Sequence, residues 1–309
     1  PGAQAVARLT IPVSRPRLWS VDAPALYTLV ACADAAGQTV DEVRTLFGIR
    51  SLRFDPDQGF LLNGQPLKLK GVCCHQDHAG VGSALPDALQ DYRIRRLKEM
   101  GCNAYRCSHN PPTPELLDAC DRLGMLVMDE NRMLGSTPEV MRQLESLVRR
   151  DRNHPCVILW SLANEEGLQG TVTGARMART MKRLIRRLDP TRPVTMAMNG
   201  SWGQGLSEVV DVQGCNYIHC GDVDDFHRRF PKQPVVYSES CSTVGTRGIY
   251  ANDKAKGYVG AYDNNTPGWG DTAEANWLHC LERPFVSGTF VWTGFDYRGE
   301  PTPYGWPCI

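Results

Sequence analysis

The spacing of apolar positions along the chain changes once, near residue 53. Before it, apolar residues alternate with polar ones in short runs, "AVARLTIPV", "LYTLVACAD" and "TVDEVRTLFGIRSLRF", broken by "RPRLWSVDAP" and "AAGQ". Alternation punctuated by turn residues predicts antiparallel strands of a sandwich. A whole immunoglobulin-like sandwich needs about 100 residues, so residues 1–52 are expected to be part of an immunoglobulin-like β-sandwich. "RFDPDQGFLLNGQPLKL" then supplies an Asp55-Pro56-Asp57 turn, a short strand and an Asn63-Gly64 hairpin signal.

Over residues 53–309, solid apolar runs take turns with amphipathic stretches. The runs predict strands at Leu67–Val72, Ala104–Cys107, Leu126–Asp129, Val157–Leu162, Val194–Ala197, Val212–Asn216, Val235–Ser238 and Thr289–Thr293. Helices are expected at Ala88–Met100, Pro114–Leu123, Pro138–Arg152, Thr171–Leu188, Asp222–Arg229 and Asp271–Leu281. In the first helix, Leu89, Tyr92, Ile94, Leu97 and Met100 mark the side expected to be buried. Eight strands with helices between them fit a (β/α)8 TIM barrel of the α/β class better than an open sheet. Too little chain follows the last strand for a closing helix. The barrel is therefore expected to be C-terminally truncated, open at that seam and lacking its last helix. No G-x-G-x-x-G or G-x-x-x-x-G-K-[ST] follows a strand, which argues against a dinucleotide or phosphate cradle.

Composition narrows the partners. The 309 residues carry 34 Lys+Arg and 34 Asp+Glu, so neither nucleic acid nor a membrane surface is expected to be held by net charge. No apolar run approaches the ~18–20 residues that a membrane helix needs, and a soluble protein, cytoplasmic or periplasmic, is expected. The chain opens on Pro1 without a leader and stops at Cys308-Ile309, which reads as a piece of a longer protein whose signals are out of view. Its 12 cysteines lack any C-x-x-C spacing and are expected to be reduced core thiols.

In such a barrel, polar residues at the C-terminal strand ends build the site. Here those ends read "HQDH", "RCSHN", "DEN", "ANEE", "NYIH", "SES" and "WTGFD". The sharpest is "PCVILWSLANEEG", which delivers Asn164 and Glu165 to the rim. Asn164 could instead cap the next helix, with Glu165 or Glu166 on its dipole. A second strand, "PVVYSES", also ends in a glutamate, Glu239. Two carboxylates facing one cavity are what glycoside hydrolysis requires, one protonated to release the leaving oxygen and one ionised to attack the sugar.

The runs "RDRNHPCVILWSLANEEG", "NAYRCSHNPPTPELLDACDRLGMLVMDE" and "VVYSES" closely resemble glycoside hydrolase family 2, most of all its bacterial β-galactosidases. The resemblance covers about residues 40–309. It implies a retaining enzyme with Glu165 as acid/base, Asn164 as the partner of the sugar 2-hydroxyl and Glu239 as nucleophile. It further implies a substrate-facing His109, an Arg106 that pairs with Glu239, a Tyr217 that hydrogen-bonds the nucleophile, and Trp292 as an aromatic floor preceding a cis peptide to Thr293. His154 is expected to support the site from behind, and Asp296 to take sugar hydroxyls.

"HQDH" admits a second reading, because His75, Asp77 and His78 are metal-ligand types. Their spacing differs from the His-x-His of barrel metallohydrolases, so His75 and Asp77 are expected to face the substrate. The Mg²⁺ ligands of some family members, a Glu and a His beyond the third strand, have no counterpart in "DENRMLG". Neither metal nor cofactor is expected. Related β-glucuronidases carry an Asn-x-Lys pair after the eighth strand, and "WTGFDYRGEPTPYGWP" holds no Lys. The expected activity is therefore exo-β-galactosidase on a small carbohydrate substrate, in a parent protein that can be a homo-oligomer. A β-glucuronidase or β-mannosidase of the same family, or a carbohydrate-binding relative without catalysis, is the alternative.

Overall fold

A computed structural model describes residues 5–297. The partial immunoglobulin-like sandwich that opens the chain appears as one antiparallel ribbon, β1 (Tyr27–Ala35) against β2 (Gln38–Phe47). Its surface lies open, with Val40 65% and Val43 56% exposed. The strand expected over residues 5–13 is not formed. A strand exists only where a neighbour satisfies its backbone, and among the described residues no strand pairs with that segment.

Trp19 ties the N-terminal segment to the underside of the barrel. It is 0% exposed and its Nε1 donates to the Asp121 carbonyl at 2.9 Å. Gly48 is needed at this crossing, since a Cβ there would lie 2.7 Å from Pro155 and 3.0 Å from Trp19. Next come β3 (Leu52–Asp55), β4 (Gly59–Leu62) and β5 (Gln65–Pro66), a small sheet that buries Phe60, Leu61 and Leu62.

The barrel runs β6 (Leu69–Cys74), α1 (Asp87–Glu99), β7 (Ala104–Cys107), α2 (Pro114–Leu123), β8 (Leu126–Glu130), α3 (Pro138–Asp151), β9 (Val157–Asn164), α4 (Val172–Leu188), β10 (Val194–Met198), β11 (Gln213–Asn216), α5 (Val223–Arg229), β12 (Val235–Cys241), α6 (Ala273–Leu281) and β13 (Val286–Trp292). Its eight strands are all parallel and the ring is closed. The expected open seam is corrected: β13 pairs with β6 from Gly288↔Leu69 to Trp292↔Cys73. Strand hydrogen bonds close a barrel, and a covering helix is not required for that. The stretch after β13 where an eighth helix was to be missing, 298–309, lies outside the described residues.

Local chemistry accounts for the helix starts. Thr113, Thr137, Thr171 and Thr272 cap α2, α3, α4 and α6 through their side chains, and Pro114 and Pro138 occupy first-turn positions of α2 and α3. Thr171, not Asn164, caps α4, which removes the capping alternative for the Asn-Glu pair. The buried side of α1 also differs from the expected one. Gln90, Arg93, Ile94 and Leu97 face inward while Tyr92 and Met100 are 45% and 63% exposed. The polar residues take the inner face because Arg93 has a partner there, the His75 carbonyl at 2.7 Å. Among the described residues no helix is long and apolar enough to cross a membrane.

Candidate active site

The C-terminal ends of β8, β9 and β12 converge on one fully buried guanidinium, that of Arg106 on β7. Its Nε and Nη2 donate to Glu130 Oε2 and Oε1 at 2.9 and 3.0 Å. Nη1 donates to Glu239 Oε2 at 2.8 Å and to the Ser238 carbonyl at 3.0 Å. Nη2 also reaches Asn164 Oδ1 at 2.7 Å. This fork orients a carboxylate on β12, an amide on β9 and a carboxylate on β8 at once.

Glu239 is gripped from a second side by the Tyr217 hydroxyl, which donates to Oε1 at 2.7 Å and lies 2.7 Å from Ser242 Oγ. Burial, then the Glu239 charge, push the Tyr217 phenol upward, so its proton stays in place to be donated. Glu165 is in different surroundings. Asn216 Nδ2 donates to its Oε1 at 2.9 Å, and Arg106 does not hydrogen-bond it. Burial outweighs that hydrogen bond and, with the Glu239 charge, lifts the Glu165 carboxyl above its ordinary value. Asn216 also donates to Asn164 Oδ1 at 3.2 Å. Two donors on its oxygen fix the Asn164 Oδ1 as an acceptor and leave the amide nitrogen as the donor of that side chain.

Backbone strain marks the same rim. Glu165, Tyr217, Cys241 and Ser242 all have positive φ, 47°, 60°, 75° and 59°. Each such residue costs roughly 1–3 kcal/mol, which surrounding structure must offset. The Glu165 and Tyr217 amides do so by donating to the carbonyls of Ala197 and Glu239, each on the next strand, at 2.9 and 2.8 Å.

A cluster of aromatic rings stands beside these groups. His109 lies parallel to Trp292, centroids 5.2 Å apart with 9° between planes, and His75 meets Trp292 edge-on at 5.3 Å. The His109 Nδ1 donates to Glu130 Oε1 at 2.8 Å, which turns Nε2 the other way. The Trp292-Thr293 and Ser108-His109 peptides are cis. Asp77 sits half-buried just beyond His75, and Asp296 is exposed past the end of β13. His75 and His78 diverge: the His75 ring packs 4.2 Å from Tyr297, the His78 ring 5.6 Å from Phe295.

One expectation is corrected. His154 precedes β9 and so lies at the opposite end of the barrel, where Nδ1 bonds Asp121 Oδ2 at 2.7 Å. With Cys156 these are the described residues close enough together to hold a metal ion, and Cys156 N already donates to Asp121 Oδ1 at 2.9 Å. Sequence reasoning left Glu130 and Asn216 unassigned. Both stand at polar strand ends, "DEN" and "NYIH", which was the available signal. Glu130 is fully buried. Burial opposes its ionisation, yet Arg106 and the His109 hydrogen bond prevail and hold its carboxyl at about 2.

Residues 56–305 match the glycosyl hydrolases family 2 TIM barrel domain, and residues 2–50 a second domain described as glycosyl hydrolases family 2. The chain is 35% identical to "Beta-galactosidase BoGH2A" of Bacteroides ovatus, over 99% of this chain and 43% of that protein. To the "Beta-glucuronidase" of Bacteroides fragilis it is 29% identical, over 96% of this chain and 46% of the relative. A solved β-glycosidase from Bacteroides vulgatus superposes with a TM-score of 0.81 at 32% identity, covering 92% of this chain and 42% of that one. The chain thus spans less than half the length of each of these relatives.

Proposed function

This chain belongs to glycosyl hydrolase family 2, and we propose that its residues 53–309 form the catalytic barrel, and residues 1–52 part of a sandwich, of a retaining exo-β-galactosidase. The observation that carries the reading is the unlike treatment of two carboxylates on one rim: Glu239 is ion-paired to Arg106, while Glu165 is raised by burial.

In the first step a Glu239 oxygen bonds to the anomeric carbon as the bond to the leaving oxygen breaks, and Glu165 gives that oxygen its proton. In the second, Glu165, now ionised, takes a proton from water, whose oxygen bonds the anomeric carbon and frees Glu239. Tyr217 and Arg106 hold Glu239 in its attacking orientation. The amide nitrogen of Asn164 meets the sugar 2-hydroxyl, His109, His75 and Asp77 take other hydroxyls, and Trp292 stacks on the apolar face of the ring.

Galactose as the sugar is supported by the name of the Bacteroides ovatus relative, to which the chain is 35% identical. Two relatives named β-glucuronidase, 31% and 29% identical, favour a glucuronide as the second reading. A panel of p-nitrophenyl β-glycosides on the full-length protein separates them. The galactoside is expected to exceed the glucuronide in kcat/KM by at least about tenfold, and the reverse order overturns the choice of sugar.

A further inference from the structure

The link between β12 and α6, residues 242–272, is the longest between described elements of the barrel, and it folds into an ordered lobe. Val244 N donates to Asn265 O at 2.8 Å, Thr246 N to Val259 O at 2.8 Å and Ala261 N to Ile249 O at 2.6 Å, around a Val259 that is 2% exposed. Both ends of the lobe are fastened to the rim. Ser242, three positions past Glu239, contacts the Tyr217 hydroxyl, and Asp271 N donates to the Cys241 carbonyl at 2.6 Å.

This lobe holds four aromatic rings in water. Tyr250, Tyr262, Trp269 and Tyr258 are 65%, 58%, 57% and 36% exposed, and the Tyr250 and Tyr262 rings adjoin at 5.4 Å. Among the described Phe, Tyr and Trp residues, Tyr92 is the one other so exposed. Such a concentration beside a site marks a binding surface. Its charges balance, Arg247, Lys254 and Lys256 against Asp253, Asp263 and Asp271, so a neutral occupant is favoured. Flat rings with hydroxyl tips suit sugar rings, which offer an apolar C–H face and a polar edge.

We propose that the lobe binds the leaving-group side of the substrate and that the natural aglycone is a neutral oligosaccharide or glycan chain. This rests on the glycosidase reading above. The test compares β-galactosyl-terminated neutral oligosaccharides with β-galactosyl fluoride, whose one-atom leaving group cannot reach the lobe, on the full-length protein. Trp269→Ala and Tyr262→Ala are expected to raise KM for the oligosaccharides by about tenfold and to leave kcat/KM for the fluoride unchanged, with Trp269→Phe restoring most of the loss. Equal changes on both substrates, or none on the oligosaccharides, overturn the proposal. Calorimetric titration of Glu239→Gln protein with the same oligosaccharides keeps the two readings apart. Binding that Trp269→Ala abolishes, in a protein that hydrolyses no β-glycoside, sinks the catalytic reading alone. A change of oligomeric state in Trp269→Ala without loss of oligosaccharide binding makes the surface a protein contact and overturns the glycan assignment.

Discussion

Each end of the barrel is organised by one buried arginine, and the two are used differently. At the N-terminal end, Arg192 spends its donors on the Val157 carbonyl at 2.6 Å, the His154 carbonyl at 2.7 Å and Asp189 at 2.7 Å. Asp189 in turn accepts from Trp160 Nε1 and Thr191 N, both at 2.9 Å. That network closes on itself and on backbone, and Asp189, Thr191 and Arg192 carry no positive φ. At the C-terminal end, Arg106 spends its donors on Glu130, Glu239 and Asn164, of which Glu130 is fully buried, Glu239 keeps 6% exposure and Asn164 is half-buried. Positive φ values and a raised carboxyl are found there. The same guanidinium–carboxylate chemistry ties one network to backbone at the N-terminal end and joins side chains of three other strands, β8, β9 and β12, at the C-terminal end.

The largest break in this contrast is Glu239→Gln. It is expected to lower kcat/KM by about 10⁴-fold or more in protein that circular dichroism shows to be folded. Wild-type turnover of an activated galactoside by this variant would remove the site assignment. Glu165→Ala comes next, with about 10²–10⁴-fold loss on poor leaving groups and recovery when azide is added. The raised Glu165 carboxyl keeps its proton further up the pH scale. The descending limb of the kcat/KM profile is therefore expected above the ordinary carboxylate range and should vanish in Glu165→Gln.

Arg192→Ala probes the other end. Leaving Asp189 buried without its cation is expected to cost about 3–5 kcal/mol in denaturant unfolding, with kcat unchanged for the protein that remains folded. Glu130→Gln sharpens the comparison because Glu130 belongs to both roles. About 3 kcal/mol of stability and about tenfold in kcat/KM are expected to go together. The Glu130 carboxyl is held below its unfolded value, from 4.5 to about 2. Its contribution is therefore fully present above about pH 4.5 and fades as the pH falls towards 2, a slope that Glu130→Gln should remove from acid unfolding.

Much of the barrel was legible in the chain. "AYRC" and "PELLDACDRL" give β7 and α2 at their observed bounds, since unbroken apolar runs and Thr-Pro caps are local signals. The inner face of α1 was not legible, because Arg93 turns inward for a carbonyl 18 positions back in the chain and amphipathic spacing cannot report such a partner. His154 was misplaced for a related reason. Its neighbourhood in sequence is the site strand, yet it stands before that strand begins, and strand direction sends the two ends to opposite faces of the barrel.

By itself the sequence determined the alternation of strands and helices, the polar residues that end each strand, and the presence of two glutamates at such ends. These follow from local periodicity and from residue identity. Tertiary structure decided which strand ends meet. Arg106 and Glu239 are 133 positions apart and come within 2.8 Å only because the ring closes. The shift of the Glu165 carboxyl likewise depends on burial and on a charge borne by another strand. Period-two alternation tells which side chains point into a barrel, but distance and dielectric, which set their chemistry, exist only once the strands are assembled.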